Sequence, residues 1–124
     1  MTSRLAGRPI LIVEDEPLIA LDVADAINTA GGQATLAFSR QQGLALVRAE
    51  PWSAAVLDYT LPDGDCSPIS DWLIENRIPF IVYTGYEKVS GSCASGLLVP
   101  KPIDASAIVT EVEQLIGPHT YERG

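Results

Sequence analysis

The sequence predicts an α/β domain built on an open parallel sheet with helices on both faces, and three observations carry that expectation. Three runs rich in β-branched residues, "PILIV" (9–13), "AAVLD" (54–58) and "PFIVY" (79–83), are apolar on both faces, as buried parallel strands are. Stretches of helical periodicity lie between them. The 124 residues have room for one hydrophobic core, and 47% apolar against 19% charged residues is a globular balance.

The elements follow in order. Residues 1–8 read as an N-terminal extension and 9–117 as the domain. After the first strand and "EDEP", Leu18, Ile19, Val23, Ala26, Ile27 and Ala30 recur at three- and four-residue steps. Pro17 suits a first helical position and Gly31-Gly32 a stop, so a helix is expected there. "QATLAF" (33–38) is a weaker second strand. Ser39 and Gln42 fit a capping box for a second helix with Leu44, Leu46 and Val47 on its packing face, locally weakened by Gly43. Ser67-Pro68 opens a third helix through Ile69, Trp72, Leu73 and Ile74. "GLLV" (96–99) is a weak last strand, and Asp104 can cap a final helix carrying Ile108, Val112, Leu115 and Ile116. Gly117-Pro118 ends it, leaving residues 118–124 as a tail with His119 at the surface. Between the fourth and fifth strands, "GYEKVSGSCASG" (85–96) is dominated by Gly and Ser where a crossover helix belongs.

Eight basic against sixteen acidic residues leave a formal charge of −8, which disfavours nucleic acid and anionic lipid as partners and suits a cation or a basic protein surface. No run approaches the roughly 18 apolar residues of a membrane span, and the arginine-bearing start lacks a cleavage pattern, so the cytoplasm is the expected location. Cys66 and Cys93 lie far apart without metal-ligand spacing and read as reduced thiols. Trp52 and Trp72 read as packing residues.

In a sheet of this kind ligands bind beyond the carboxyl ends of the strands. Glu14-Asp15-Glu16 follow the first strand, Asp58 the third, Thr84-Gly85 the fourth and Lys101 the fifth. If the first and third strands are neighbours, Glu14 or Asp15 converges with Asp58 on one rim. Carboxylates gathered there repel one another unless a cation neutralises them, and all-oxygen ligation with retained waters suits Mg²⁺. With Lys101 and the Thr84 hydroxyl opposite, the set can trap the equatorial oxygens of a phosphoryl group, and an Asp carboxylate can itself accept that group as an acyl phosphate.

"ILIVEDEP", "VLDYTLPDG", "YTGY" and "PKP" resemble, in order and strand context, the receiver domain of bacterial response regulators (CheY-like proteins), over about residues 8 to 117. The resemblance implies a five-stranded flavodoxin-like sheet of order 2-1-3-4-5, an order for which a receiver is a standing example. It implies Asp58 as phosphoacceptor, Asp15 holding Mg²⁺ directly and Glu14 through water, the backbone carbonyl of Thr60 completing the protein ligands, and Thr84 and Lys101 contacting the phosphoryl oxygens. It also implies a sensor histidine kinase or histidine phosphotransferase as donor, with a downstream protein target or onward transfer as output. On this reading the chain is a single-domain regulator, not an enzyme beyond its own phosphorylation and dephosphorylation.

Three departures matter. Receivers carry an aromatic three residues before the lysine, where this chain has Leu98. The Thr84 to Lys101 interval is short, so the fourth helix is expected to be shortened or disordered. "YTGY" resembles the FAT GUY variant receivers, often stand-alone and often paired with unorthodox sensor kinases in alphaproteobacteria. Gly85, Gly91 and Gly96 make the 85–96 segment easy to rearrange, and Tyr86 is placed to shield an acyl phosphate, two residues past Thr84 as Thr60 is past Asp58. The Lys101-Pro102 bond is a candidate cis peptide. Two rivals remain: a phosphate-independent pseudo-receiver, and a phosphatase of the haloacid dehalogenase type, which needs a second Asp where this chain has Thr60. Neither nucleotide-binding glycine motif occurs.

Overall fold

A computed structural model describes residues 4–85 and 88–117. Its strands are β1 (Pro9–Val13), β2 (Gln33–Ala37), β3 (Ala54–Asp58), β4 (Thr60–Leu61), β5 (Gly64–Asp65), β6 (Phe80–Thr84) and β7 (Leu97–Pro100), and its helices are α1 (Pro17–Thr29), α2 (Arg40–Ala49), α3 (Ser67–Glu75) and α4 (Ala105–Ile116). Five strands form one parallel sheet in the order β2-β1-β3-β6-β7, while β4 and β5 make a small antiparallel hairpin. With that hairpin set aside, the order is the expected 2-1-3-4-5.

The two faces of the sheet bury two cores. Leu11, Val13, Ala55, Leu57 and Val82 face α2 and α3 with Ile69 and Leu73. Ile10, Ile12, Val56, Ile81 and Tyr83 face α1 and α4 with Val23, Ile27, Ile108 and Val112. Core packing begins ahead of β1: Leu5 is fully buried in this second cluster. The two tryptophans act in packing, Trp52 donating its indole N–H to the Leu46 carbonyl and Trp72 lying under the Arg48 guanidinium.

Helix starts follow the predicted chemistry with one change. Ser39 accepts the Gln42 N–H, but the Gln42 side chain reaches back to the Phe38 N–H instead of that of Ser39, so the box closes one residue early. Asp104 accepts from the Ser106 and Ala107 N–H groups. No α-helix forms among the described residues between β6 and β7; a five-residue 3-10 helix, Gly91–Ser95, takes its place against α3. The shortened fourth helix expected from the short Thr84 to Lys101 interval is thus a 3-10 turn among the described residues.

No helix among the described residues is long and apolar enough to cross a membrane. Tyr86 and the 118–124 tail with His119 lie outside the described residues.

Candidate phosphoryl-acceptor site

Pairing of β1 with β3 and of β3 with β6 brings the carboxyl ends of three strands together. Asp58 closes β3 and is only 2% exposed; Glu14, one residue past β1, is wholly buried. Carboxylate oxygens of Glu14, Asp15 and Asp58 all lie within 4.8 Å of one another. The conditional convergence read from the strand order is thus met by both Glu14 and Asp15.

Each carboxylate is held differently. Asp58 Oδ1 accepts from the Lys101 ammonium at 3.1 Å and from the Thr60 N–H at 3.3 Å. Glu14 Oε2 accepts from the Glu16 N–H at 2.8 Å, and its Oε1 accepts from the Tyr83 hydroxyl. Burial pushes Glu14 up to about 7, against the Tyr83 and Glu16 hydrogen bonds and with help from the Asp58 charge. Asp58 is also raised, burial outweighing the Lys101 ammonium. Tyr83, desolvated and donating to Glu14, is held well above the usual phenol range.

Three carboxyl groups gather where the lysine pairs with Asp58, and burial, with a smaller contribution from their mutual repulsion, raises Glu14 and Asp58. The donor set is all oxygen and clustered at a few ångströms, which fits a hard divalent cation such as Mg²⁺.

Lys101 reaches Asp58 from β7. Its own N–H bonds the Thr84 carbonyl at 2.8 Å, its ammonium stands 5.6 Å from the centre of the Tyr83 ring, and the Lys101-Pro102 bond is cis. Thr84 ends β6 one residue beyond the Asp58 partner Tyr83, and Thr60, exposed, opens the β4–β5 hairpin. All six residues singled out from the sequence therefore sit on one rim of the sheet.

Sequence reading missed what the other acids of "LPDGD" do. Asp63 accepts from the Arg40 and Gln41 N–H groups at 2.8 and 2.9 Å, capping α2 from across the site loop, and those bonds lower it. Asp65 accepts the Ser67 N–H at the start of α3. The turn after Asp58 is thereby fastened to two helices, which fixes the backbone around the acceptor.

Sequence reading also misassigned Leu18. Placed on the periodic face of α1, it is 84% exposed, and Leu21 is 56% exposed. With Gly85, Lys101, Pro102 and Ile103 they line a groove of about 860 Å³, which the Asp58 partner Lys101 thus borders.

No family model matches the chain. Over 109 residues it is 29% identical to the sensor protein TorS of Escherichia coli, covering 81% of this chain and 12% of that protein. Over 110 residues it is 29% identical to the photosynthetic apparatus regulatory protein RegA of Cereibacter sphaeroides, covering 83% of this chain and 60% of that one. The chain thus spans only part of either relative. Among solved structures it is similar to a CheY-like response regulator receiver domain protein from Methanospirillum hungatei (TM-score 0.79, 21% identity, 90% of this chain and 94% of that one). It is also similar to the receiver domain of sensor histidine kinase PA1611 from Pseudomonas aeruginosa, solved with a magnesium ion in its active-site cleft (TM-score 0.76, 23% identity, 91% and 100%). The fold is that of CheY-like receiver domains.

Proposed function

We propose that this chain, which carries the receiver fold, accepts a phosphoryl group on Asp58 from a phosphohistidine of a sensor kinase or histidine phosphotransferase. The observation that carries the reading is the arrangement around Asp58: a nearly buried carboxylate at the end of a central strand, an ammonium at 3.1 Å and two more carboxyl groups within 4.8 Å.

In the transfer, an Asp58 oxygen attacks phosphorus as the bond to the donor imidazole breaks and that ring takes a proton from solvent, yielding an acyl phosphate and a neutral histidine. Lys101 and the Thr84 hydroxyl are assigned to the equatorial oxygens, where charge grows. Glu14, Asp15, Asp58 and the Thr60 carbonyl are assigned to Mg²⁺, which when bound offsets the charge of the carboxylates and of the incoming group.

The groove supports a protein donor. Leu18 and Leu21 project from α1 into solvent beside the acceptor, an apolar surface suited to a helix that presents its histidine to the rim. Output then runs through protein binding or onward transfer in the cytoplasm. The stand-alone subgroup reading rests on Tyr83-Thr84-Gly85-Tyr86 alone.

Incubation with Mg²⁺ and acetyl phosphate, read by intact mass, tests the assignment. One phosphate adduct is expected, absent from Asp58→Asn. Folded protein that takes no adduct from acetyl phosphate or any phosphohistidine donor would assign the chain to phosphate-independent binding. Replacing Leu18 and Leu21 by Ala should leave acetyl phosphate labelling unchanged and slow transfer from a phosphohistidine protein by about tenfold or more.

A further inference from the structure

Cys66 and Cys93 are 27 positions apart in sequence, yet their sulfurs lie 2.9 Å apart and both are fully buried. Cys66 immediately precedes α3, and Cys93 is the one buried residue of the 3-10 helix Gly91–Ser95. Around them the interface is polar for a core. The Ser70 hydroxyl, wholly buried, lies 2.6 Å from the Ser92 hydroxyl and donates to the Cys93 sulfur at 3.6 Å; Ser92 donates to the Ser67 carbonyl at 3.2 Å. Nothing in phosphoryl transfer uses this cluster.

We infer that Cys66 and Cys93 are a redox-reactive pair that closes to an intramolecular disulfide on exposure to a hydroperoxide, tying the crossover between β6 and β7 to α3.

Geometry supplies the proximity and the chemistry supplies direction. The two thiols hydrogen-bond each other, with either sulfur able to donate, and the Ser70 hydroxyl donates to Cys93 alone. Cys93, carried on the short 3-10 segment, is assigned as the attacking thiolate. It takes the distal peroxide oxygen as the O–O bond breaks and an alcohol (water, for hydrogen peroxide) leaves, giving a sulfenic acid. The Cys66 sulfur then attacks the Cys93 sulfur, the S–O bond breaks, and water leaves with the Cys66 proton. Two thiols are oxidised by two electrons, and the hydroperoxide is reduced by two.

Burial would leave both sulfurs inert if the segment stayed closed, but side-chain hydrogen bonds and one buried side chain are what hold it to α3. The 3-10 helix is short, its hydrogen-bond geometry is poorer than that of an α-helix, and Cys93 is its only buried side chain. Gly91 takes φ +68° with open space where a Cβ would stand. Opening of this segment therefore costs less than unfolding the sheet, and it exposes Cys93 first.

The experiment uses the full chain, reduced, then treated with hydrogen peroxide and followed by intact mass and peptide mapping. The expected product is a monomer lighter by about 2 Da, with neither cysteine alkylated after denaturation and the mass restored by dithiothreitol. Amide exchange across 91–95 should slow in the oxidised form. Cys66→Ala should stop at a sulfenic acid on Cys93, trapped by dimedone, and Asp58→Asn should oxidise as the wild type does, separating this pair from the acceptor site. Three results would overturn the inference: both cysteines still alkylated after peroxide, oxygen addition without loss of two hydrogens, or a disulfide found only between two chains.

Discussion

The Lys101 ammonium lies 3.1 Å from Oδ1 of Asp58 although the lysine side chain is 31% exposed and the aspartate 3%. The cation reaches inward from the rim to a carboxylate that burial has already raised. Removing it leaves that carboxylate beside Glu14 and Asp15, still accepting from the Thr60 N–H. Lys101→Ala is therefore expected to lower stability by about 1.5–3 kcal/mol in the absence of divalent cations, the range for a hydrogen bond to a charged group. Mg²⁺ should recover most of that loss by supplying positive charge to the same oxygens. Urea denaturation of both proteins, with and without Mg²⁺, checks this, and equal midpoints in metal-free buffer would show that the pair contributes nothing.

Glu14 gives the chain a pH dependence opposite to that of an ordinary salt-bridged acid. Folded, it keeps its proton to about pH 7; unfolded, it releases it near the ordinary 4.5. Below that lower value the contribution is fully present. Between the two the folded state binds more protons, so stability falls as pH rises, by up to about 1.4 kcal/mol per pH unit, and above pH 7 the contribution is gone. Asp58, also raised, acts in the same direction. Thermal melts from pH 4.5 to 8 in metal-free buffer should show this decline, and Glu14→Gln should flatten it. Saturating Mg²⁺ should reverse the slope, because the ion binds the ionised carboxylates and displaces their protons.

What the sequence made legible follows from the parallel sheet itself. In that fold the residue after each strand arrives at one rim, so Glu14, Asp15, Asp58, Thr84 and Lys101 could be found one strand at a time, without knowing any long-range contact. Contacts that depend on side chains meeting across the fold were not legible. Tyr83 donates to Glu14 over 69 positions, and Cys66 meets Cys93 over 27. Leu18 fits helical spacing as well as Val23 does, and spacing alone cannot say that the neighbour covering that turn is missing. Gly43 reads as a weak point in α2, but a Cβ there would stand 2.8 Å from Ile69 Cδ1 and 2.9 Å from Val13 Cγ2, so its absence lets the helix lie close against β1. The physical content of that glycine is packing, which no local pattern carries.

Leu98 occupies the place where the receiver resemblance leads one to expect an aromatic, and it is exposed at the sheet edge, paired with Val82. Two hydrogen bonds link the surroundings of Asp58 to the described residues of the crossover. Tyr59, next to Asp58, bonds Ser90 through its hydroxyl at 3.4 Å, and the Lys101 N–H bonds the carbonyl of Thr84, where the crossover begins. On the proposed function, charge placed on Asp58 would draw on Lys101 and Thr84 together, and the segment they flank carries one buried side chain between Gly91 and Ser95. Beryllofluoride with Mg²⁺, a phosphoryl mimic, should therefore change amide exchange across 88–96 by about threefold or more while leaving the interior of β1 and β3 unchanged, as expected where a weakly held unit responds and a core strand does not. Ser90→Ala should reduce that response without altering acetyl phosphate labelling. Exchange in 88–96 that is identical with and without the mimic would rule this segment out as the reporter and return attention to the exposed leucines of β7.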